Sequence, residues 1–149
     1  MDANLLIGYL VGSLSPHHLA NCRATKGFTV EDFDLLRRFL EQFKQIVTTP
    51  HVLTEVSNLA GRLPASLHME FRKLFRKIIE ELSEHFEPSQ KVSAHNDFLR
   101  FGLADTAISM IAPNRFLVLT DELSLFGLLA NRKVDVINFN HLRTIYWQE

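Results

Sequence analysis

The stretch from Phe101 to Glu122, FGLADTAISMIAPNRFLVLTDE, constrains this chain more than any other. Apolar residues recur at Phe101, Ala104, Ile108 and Ile111 with helical spacing. Pro113-Asn114 breaks that helix. Phe116-Leu117-Val118-Leu119 follows as a short, uninterrupted apolar run, the pattern of a strand buried on both faces. Thr120-Asp121-Glu122 sits where the strand must end. One carboxylate, Asp105, therefore lies inside a mostly apolar helix. Another, Asp121, lies at the carboxyl end of a buried strand, the end at which open α/β sheets bind ligands. A charge inside an apolar helix is costly unless something offsets it, and a divalent cation would. Each position also has a plainer reading. Thr120 or Asp121 can cap the next helix, with Glu122 in its first turn, and Asp105 can be a solvated residue of a half-exposed helix.

The 149 residues suit one domain, 1–149, with a real core, and a hydrophobic fraction of 46% argues against disorder. A net charge of −1 supplies no global field toward nucleic acid, so any such contact needs a local patch. The single cysteine, Cys22, excludes an intramolecular disulfide and fits a reducing compartment. No apolar run approaches the roughly 20 residues that span a bilayer, and the start lacks the basic flank and cleavage pattern of a secretory signal. The expectation is a soluble, cytoplasmic protein with no membrane partner.

At the start of the chain, Asp2 and Asn4 precede and enter the run Leu5-Leu6-Ile7-Gly8-Tyr9-Leu10-Val11, which reads as a buried helix start with capping residues before it. His17-His18 lack a third ligand at metal-like spacing and read as a surface pair. Thr29 stands three residues before Asp32, a variant of the capping box, and Phe33, Leu36, Phe39, Leu40 and Phe43 form a helical stripe. Ile46 to Thr49, β-branched and closed by Pro50, reads as a strand. A helix begins at once, with proline at its start, and Glu55 falls about one turn in. Glu55 is thus a third acid near the end of a strand, although alone it reads as a solvated helix residue. Ala65 to Phe86 reads as one long amphipathic helix with a basic face of Arg72, Lys73, Arg76 and Lys77. That face can meet the phosphates of RNA, or it can be solvated and paired with Glu80, Glu81 and Glu84. Gln90 to Ser93 reads as a short edge strand, Leu123 to Ala130 as a helix and Val134 to Phe139 as a last strand. Alternating strands and helices predict an α/β fold with a mainly parallel sheet.

Four segments now stand in order: M-D-A-N-L-L at 1–6, T-P-H-V-L-T-E-V at 49–56, F-G-L-A-D-T-A-I at 101–108 and L-V-L-T-D-E at 117–122. In this order and spacing, over nearly the whole chain, the sequence resembles the PIN-domain family of metal-dependent ribonucleases, closest to the small toxin-type members called VapC-like. The resemblance implies a three-layer fold, with a central, mainly parallel sheet of four or five strands flanked by helices and acids gathered over one edge. Position by position, Asp2, Glu55, Asp105 and Asp121 match the family's acidic quartet. Thr120 matches the hydroxyl residue before the last acid, and Asn4 the asparagine that helps hold the first. Glu122 falls where some members carry a further acid. One departure stands out. In the family a complete strand runs into the first acid, whereas here only Met1 precedes Asp2. Three accounts are open: a start further upstream, neighbouring strands closing the gap, or a degenerate member with a poorly held first ligand.

The chemistry implied is hydrolysis of RNA phosphodiester bonds with Mg²⁺ or Mn²⁺, hard cations suited to carboxylate oxygens. One ion can lower the pKa of a water, and a second can stabilise the leaving oxygen. Without metal the acids would repel one another and some would take up protons. No Ser-His-Asp or Cys-His arrangement is visible. The expected activity is that of an endoribonuclease toxin held by a small antitoxin protein, and family members commonly form homodimers. The exposed sides of the Val30–Phe43 and Ser66–Phe86 helices are the candidate contact surfaces. The alternative is a catalytically inactive, PIN-like protein-binding module, motivated by the 12 phenylalanines, which equally read as core. A structure-specific DNA nuclease of related chemistry is a third reading.

Overall fold

The structure is a computed structural model and describes residues 1–146. Helices dominate it. In chain order they are α1 (Ala3–Leu14), α2 (Val30–Leu40), α3 (Pro50–Ala60), α4 (His68–Glu81), α5 (Ser89–Ser93), α6 (Phe98–Ile111), α7 (Leu123–Asn131) and α8 (Phe139–Tyr146). Four short strands lie between them: β1 (Val47–Thr48), β2 (Ser83–Glu84), β3 (Val118–Thr120) and β4 (Val136–Asn138).

α1 is the hub. Its apolar run buries Leu5, Leu6, Ile7, Leu10 and Val11, and α2, α3 and α4 pack around it. Close packing against α2 needs a glycine. A Cβ at Gly12 would stand 2.3 Å from the Phe33 ring, inside any real contact distance. α2 begins as its sequence predicts. The Thr29 hydroxyl accepts from the Asp32 N–H, and the Asp32 carboxylate accepts from the Thr29 N–H. α3 starts directly after β1, with Thr49 as its cap and Pro50 in its first turn. One hydrophobic cluster joins these helices to Val118 and Leu119 of β3, Leu125 and Leu129 of α7, and Phe139 of α8.

The expected central sheet of four or five strands is not formed. β1 pairs in parallel with β2 (Val47↔Ser83, Thr48↔Glu84), and β3 pairs in parallel with β4 (Val118↔Val136, Leu119↔Ile137, Thr120↔Asn138). The two pairs are separate sheets, and the fold is helix-dominated, not a three-layer α/β sandwich. The physical reason lies between β1 and β3. Backbone groups of successive strand residues face opposite sides. Val118 donates to the Asp135 carbonyl on the β4 side, so Leu117 and Leu119 face the other way. Ile46 and Thr48 accept from Ser83 and His85 on the β2 side, so Val47 also faces away. The two outer edges look across an apolar cavity of about 310 Å³, lined by Met1, Val47, Val52, Ile108 and Leu119 among others. The chain's first residues reach into this space, where the Asp2 N–H donates to the Leu119 carbonyl at 3.2 Å.

Three further expectations are corrected. Gln90 to Ser93 is the helix α5, entered through Pro88, and not an edge strand. The expected helix over Ala65 to Phe86 ends at Glu81, because Ser83 and Glu84 leave it to pair with β1. The helix expected to carry Phe101 begins at Phe98 and is interrupted at Gly102, whose φ of 73° and ψ of −170° only glycine adopts readily. No helix of the described residues is long and apolar enough to cross a membrane.

Candidate functional site

Most of the candidate acids stand near the beginning of a helix, and Glu55 is the exception. Asp2 caps α1, Glu55 lies at the middle of α3, and Glu122 precedes α7 with Asp121 before it. The break at Gly102 restarts α6, so Asp105 falls within the first turn of the restarted segment. Helix starts expose unpaired N–H groups and the positive end of the dipole, which draw carboxylates. That local logic holds on α1, α6 and α7, whereas Glu55 comes to the same place from the middle of α3.

Asp2 is the most firmly held. It is buried, its Oδ1 accepts the Leu5 N–H at 2.9 Å and its Oδ2 accepts the Asp121 N–H at 2.9 Å. One carboxylate thereby ties the start of the chain to the end of β3. Asn4 Nδ2 donates to Asp121 Oδ1 at 3.4 Å, a long bond. The buried Thr120 hydroxyl accepts from the Glu122 N–H at 3.0 Å and shapes the turn after β3. Asp121 itself makes no capping bond to α7, so its side chain is left for another use.

The electrostatics show the convergence. Burial first, then the negative charges of Asp2, Glu55, Glu122 and Asp121, push Asp105 up to about 7. Burial and the charge of Asp2 push Asp121 to about 7 as well, while the Asn4 hydrogen bond pulls the other way. Glu55 is raised by burial and by Asp2 and Glu122. Residues 55, 105 and 121, distant in the chain, act on one neighbourhood, and no Lys or Arg is among the groups that act on them. The basic cluster is elsewhere. Arg72, Lys73, Arg76 and Lys77 are exposed on α4, where Arg76 reaches Glu80 at 4.0 Å.

The donor set is all carboxylate oxygen, the chemistry that suits Mg²⁺ or Mn²⁺. The arrangement is one of charge proximity and not of ligand contact. Among the described residues no group of three or more His, Cys, Asp or Glu side chains is set to hold a metal ion. Mutually repelling carboxylates settle apart, so Asp105 and Glu55 would have to turn toward Asp2 and Asp121 to share a cation. Asp2 cannot turn without breaking its two backbone bonds.

One residue in contact with the acid cluster is absent from the sequence reading. Asn140 Nδ2 donates to the Asp121 carbonyl at 3.0 Å. Its signal was present, since Asn138 and Asn140 lie at and just past the carboxyl end of β4, beside the end of β3 that holds Asp121. No family model matches the chain, and no curated protein and no solved structure matches it.

Proposed function

We propose that this chain is a Mg²⁺- or Mn²⁺-dependent endoribonuclease of PIN type. The observation that carries the reading is the accumulation of negative charge at Asp105 and Asp121, fed by Asp2, Glu55 and Glu122 and not neutralised by any basic side chain among the described residues. A fold tolerates such a cluster when a cation shares it.

In this reading Asp2, Asp105 and Asp121 hold the ion, with Glu55 and Glu122 completing the negative field. A bound divalent cation supplies positive charge for an anionic phosphodiester and acidifies water at the site. Asp2 is the fixed point, pinned by two N–H donors. Asp105 and Asp121, poised near neutrality, exchange protons at their carboxylate oxygens around pH 7. Protons and cations compete for the same oxygens, so cation affinity falls as pH drops below about 7. The exposed apolar side chains Leu103 and Leu123 stand two residues from Asp105 and next to Glu122. Exposed apolar side chains of this kind can take a stacked base or a partner's apolar residue. Antitoxin control and a homodimer come with the PIN reading.

Asp105→Asn and Asp121→Asn are each expected to reduce Mn²⁺-dependent RNA cleavage to background while leaving the fold intact. Cleavage that persists in EDTA with both substitutions present rejects the mechanism. Cleavage of DNA in preference to RNA of the same sequence moves the substrate class to DNA. The absence of a ready-made three-ligand group favours a second reading, a protein-binding module without metal. Calorimetric titration with Mn²⁺ separates the two: heat of binding supports the nuclease, and none supports the module.

A further inference from the structure

The turn that carries Asp121 is clamped from both sides. Its N–H is taken by Asp2, and its carbonyl accepts from Asn140 at 3.0 Å. Asn140 is exposed, yet it is not free to move. Its own N–H donates to Asn138 Oδ1 at 2.9 Å, and its Oδ1 accepts from Arg143 Nη1 at 2.7 Å. Arg143 is immobilised in turn. Its Nε and Nη2 grip the two oxygens of Asp32 at 2.7 and 2.9 Å, and its guanidinium lies 5.5 and 5.0 Å from the Phe28 and Phe139 ring centres. A planar guanidinium held by two parallel bonds and two rings has one orientation. The Asp32 carboxylate is anchored by the Thr29 N–H at the start of α2.

We propose that Asn140 is a positioning residue for the acid site, acting through the main chain of Asp121 and held in place by Arg143 and Asp32. Asn140 touches neither the proposed cation nor the RNA. It fixes the peptide unit from which the Asp121 carboxylate projects, so that Asp2 and Asp121 keep one relative placement. An asparagine is suited to this: one amide accepts from Arg143 and donates to Asp121 at the same time, which no carboxylate could do. The role in catalysis rests on the nuclease reading, whereas the clamp on Asp121 is independent of it.

The test replaces Asn140 by Leu, close in size but without donor or acceptor. Three measurements follow: hydrogen exchange of the Asp121 N–H, calorimetric titration with Mn²⁺, and steady-state cleavage of RNA. The expected result is faster exchange at Asp121, Mn²⁺ affinity lower by roughly tenfold, and lower kcat with unchanged KM for RNA. Asn140→Gln, which keeps the amide donor on a longer arm, recovers part of the loss. A merely structural role would lower the melting temperature and leave the Mn²⁺ affinity of the folded molecules unchanged, and that result overturns the proposal. Unchanged exchange at Asp121 overturns it too. If the unsubstituted chain binds no Mn²⁺ and cleaves no RNA, the nuclease reading falls, and the exchange measurement still decides the clamp.

Discussion

Two aspartates lie close together in the chain around α6 and meet opposite fates. Asp97, where the helix begins, is buried and gripped by Arg132 through bonds of 2.6 and 2.7 Å, with the Ser109 hydroxyl donating at 2.9 Å. The Arg132 bonds hold its carboxyl below the usual range despite its burial. Asp105, beyond the Gly102 break, has acids for neighbours and is pushed up to about 7. The same contrast runs through the molecule. Asp32 and Asp97 are matched by arginines, while among the described residues Asp2, Asp105 and Asp121 are matched by none. A protein that pairs its structural acids this thoroughly is able to pair them. The unpaired group is therefore the place to which the proposed cation is assigned, since perturbed acids mark candidate functional sites.

The sharpest way to break the comparison is to unpair a matched acid. Asp32→Ala leaves the half-buried Arg143 without its partner, and stability is expected to fall by about 3–5 kcal/mol in a denaturant titration. Asp97→Asn does the same to Arg132, but that side chain is 40% exposed and water takes over part of the charge, so the loss is about 2 kcal/mol. Unchanged stability in both would show that the matched acids are not structural.

The opposite sign is expected on the unmatched side. Asp105→Asn removes a charge that its neighbours repel, and in the absence of divalent cations it raises the melting temperature by about 5 °C. The pH dependence follows from the directions of the shifts. Asp97 has a lowered pKa, so its contribution is present at neutral pH and is lost as pH falls through the acid range. Asp105 and Asp121 have raised values of about 7, so they favour the folded state at low pH and that contribution is lost as pH rises from about 4 to about 7. Without metal, the melting temperature is therefore highest in mildly acidic solution and declines toward pH 8. Added Mn²⁺ flattens the neutral limb and leaves the acid limb alone. A neutral limb indifferent to Mn²⁺ would count against a cation site.

The smallest effect concerns backbone groups. The Met1 amine is buried at the cavity between β1 and β3, and desolvation lowers its pKa although Asp2 pulls the other way. With Asp2 donating to the Leu119 carbonyl, an added residue ahead of Met1 would bring its own carbonyl to the Leu119 N–H. Three or four extended apolar residues placed there are expected to raise the melting temperature by about 3 °C and to slow hydrogen exchange at Leu119. A polar Gly-Ser extension of equal length has neither effect.

Much of the acid site was legible in the residues. The capping position of Asp2, the Pro50 start before Glu55, the apolar helix around Asp105 and the apolar run ending at Thr120-Asp121 are local signals, one for each of the four acids. The arginine partners were not legible. Arg132 lies 35 residues from Asp97, and Arg143 lies 111 from Asp32. Nothing local in either sequence neighbourhood announces the pair. The sheet was misjudged for a related reason. The apolar runs at Ile46 to Thr49 and Phe116 to Leu119 are real, but a run of strand-forming residues does not say which edge it will find.

By itself, then, the amino-acid order determined where α1, α2 and α3 begin, which of their faces are apolar and that Asp2 caps the first of them, because these depend on neighbours within a turn or two. The tertiary structure alone decided that β1 and β3 pair outward and stay apart, that Asp32 and Asp97 meet arginines, and that Asp2, Glu55, Asp105 and Asp121 lie in one region of negative charge. Strand pairing and charge act across space, and the partner that settles each case arrives from a distant part of the chain.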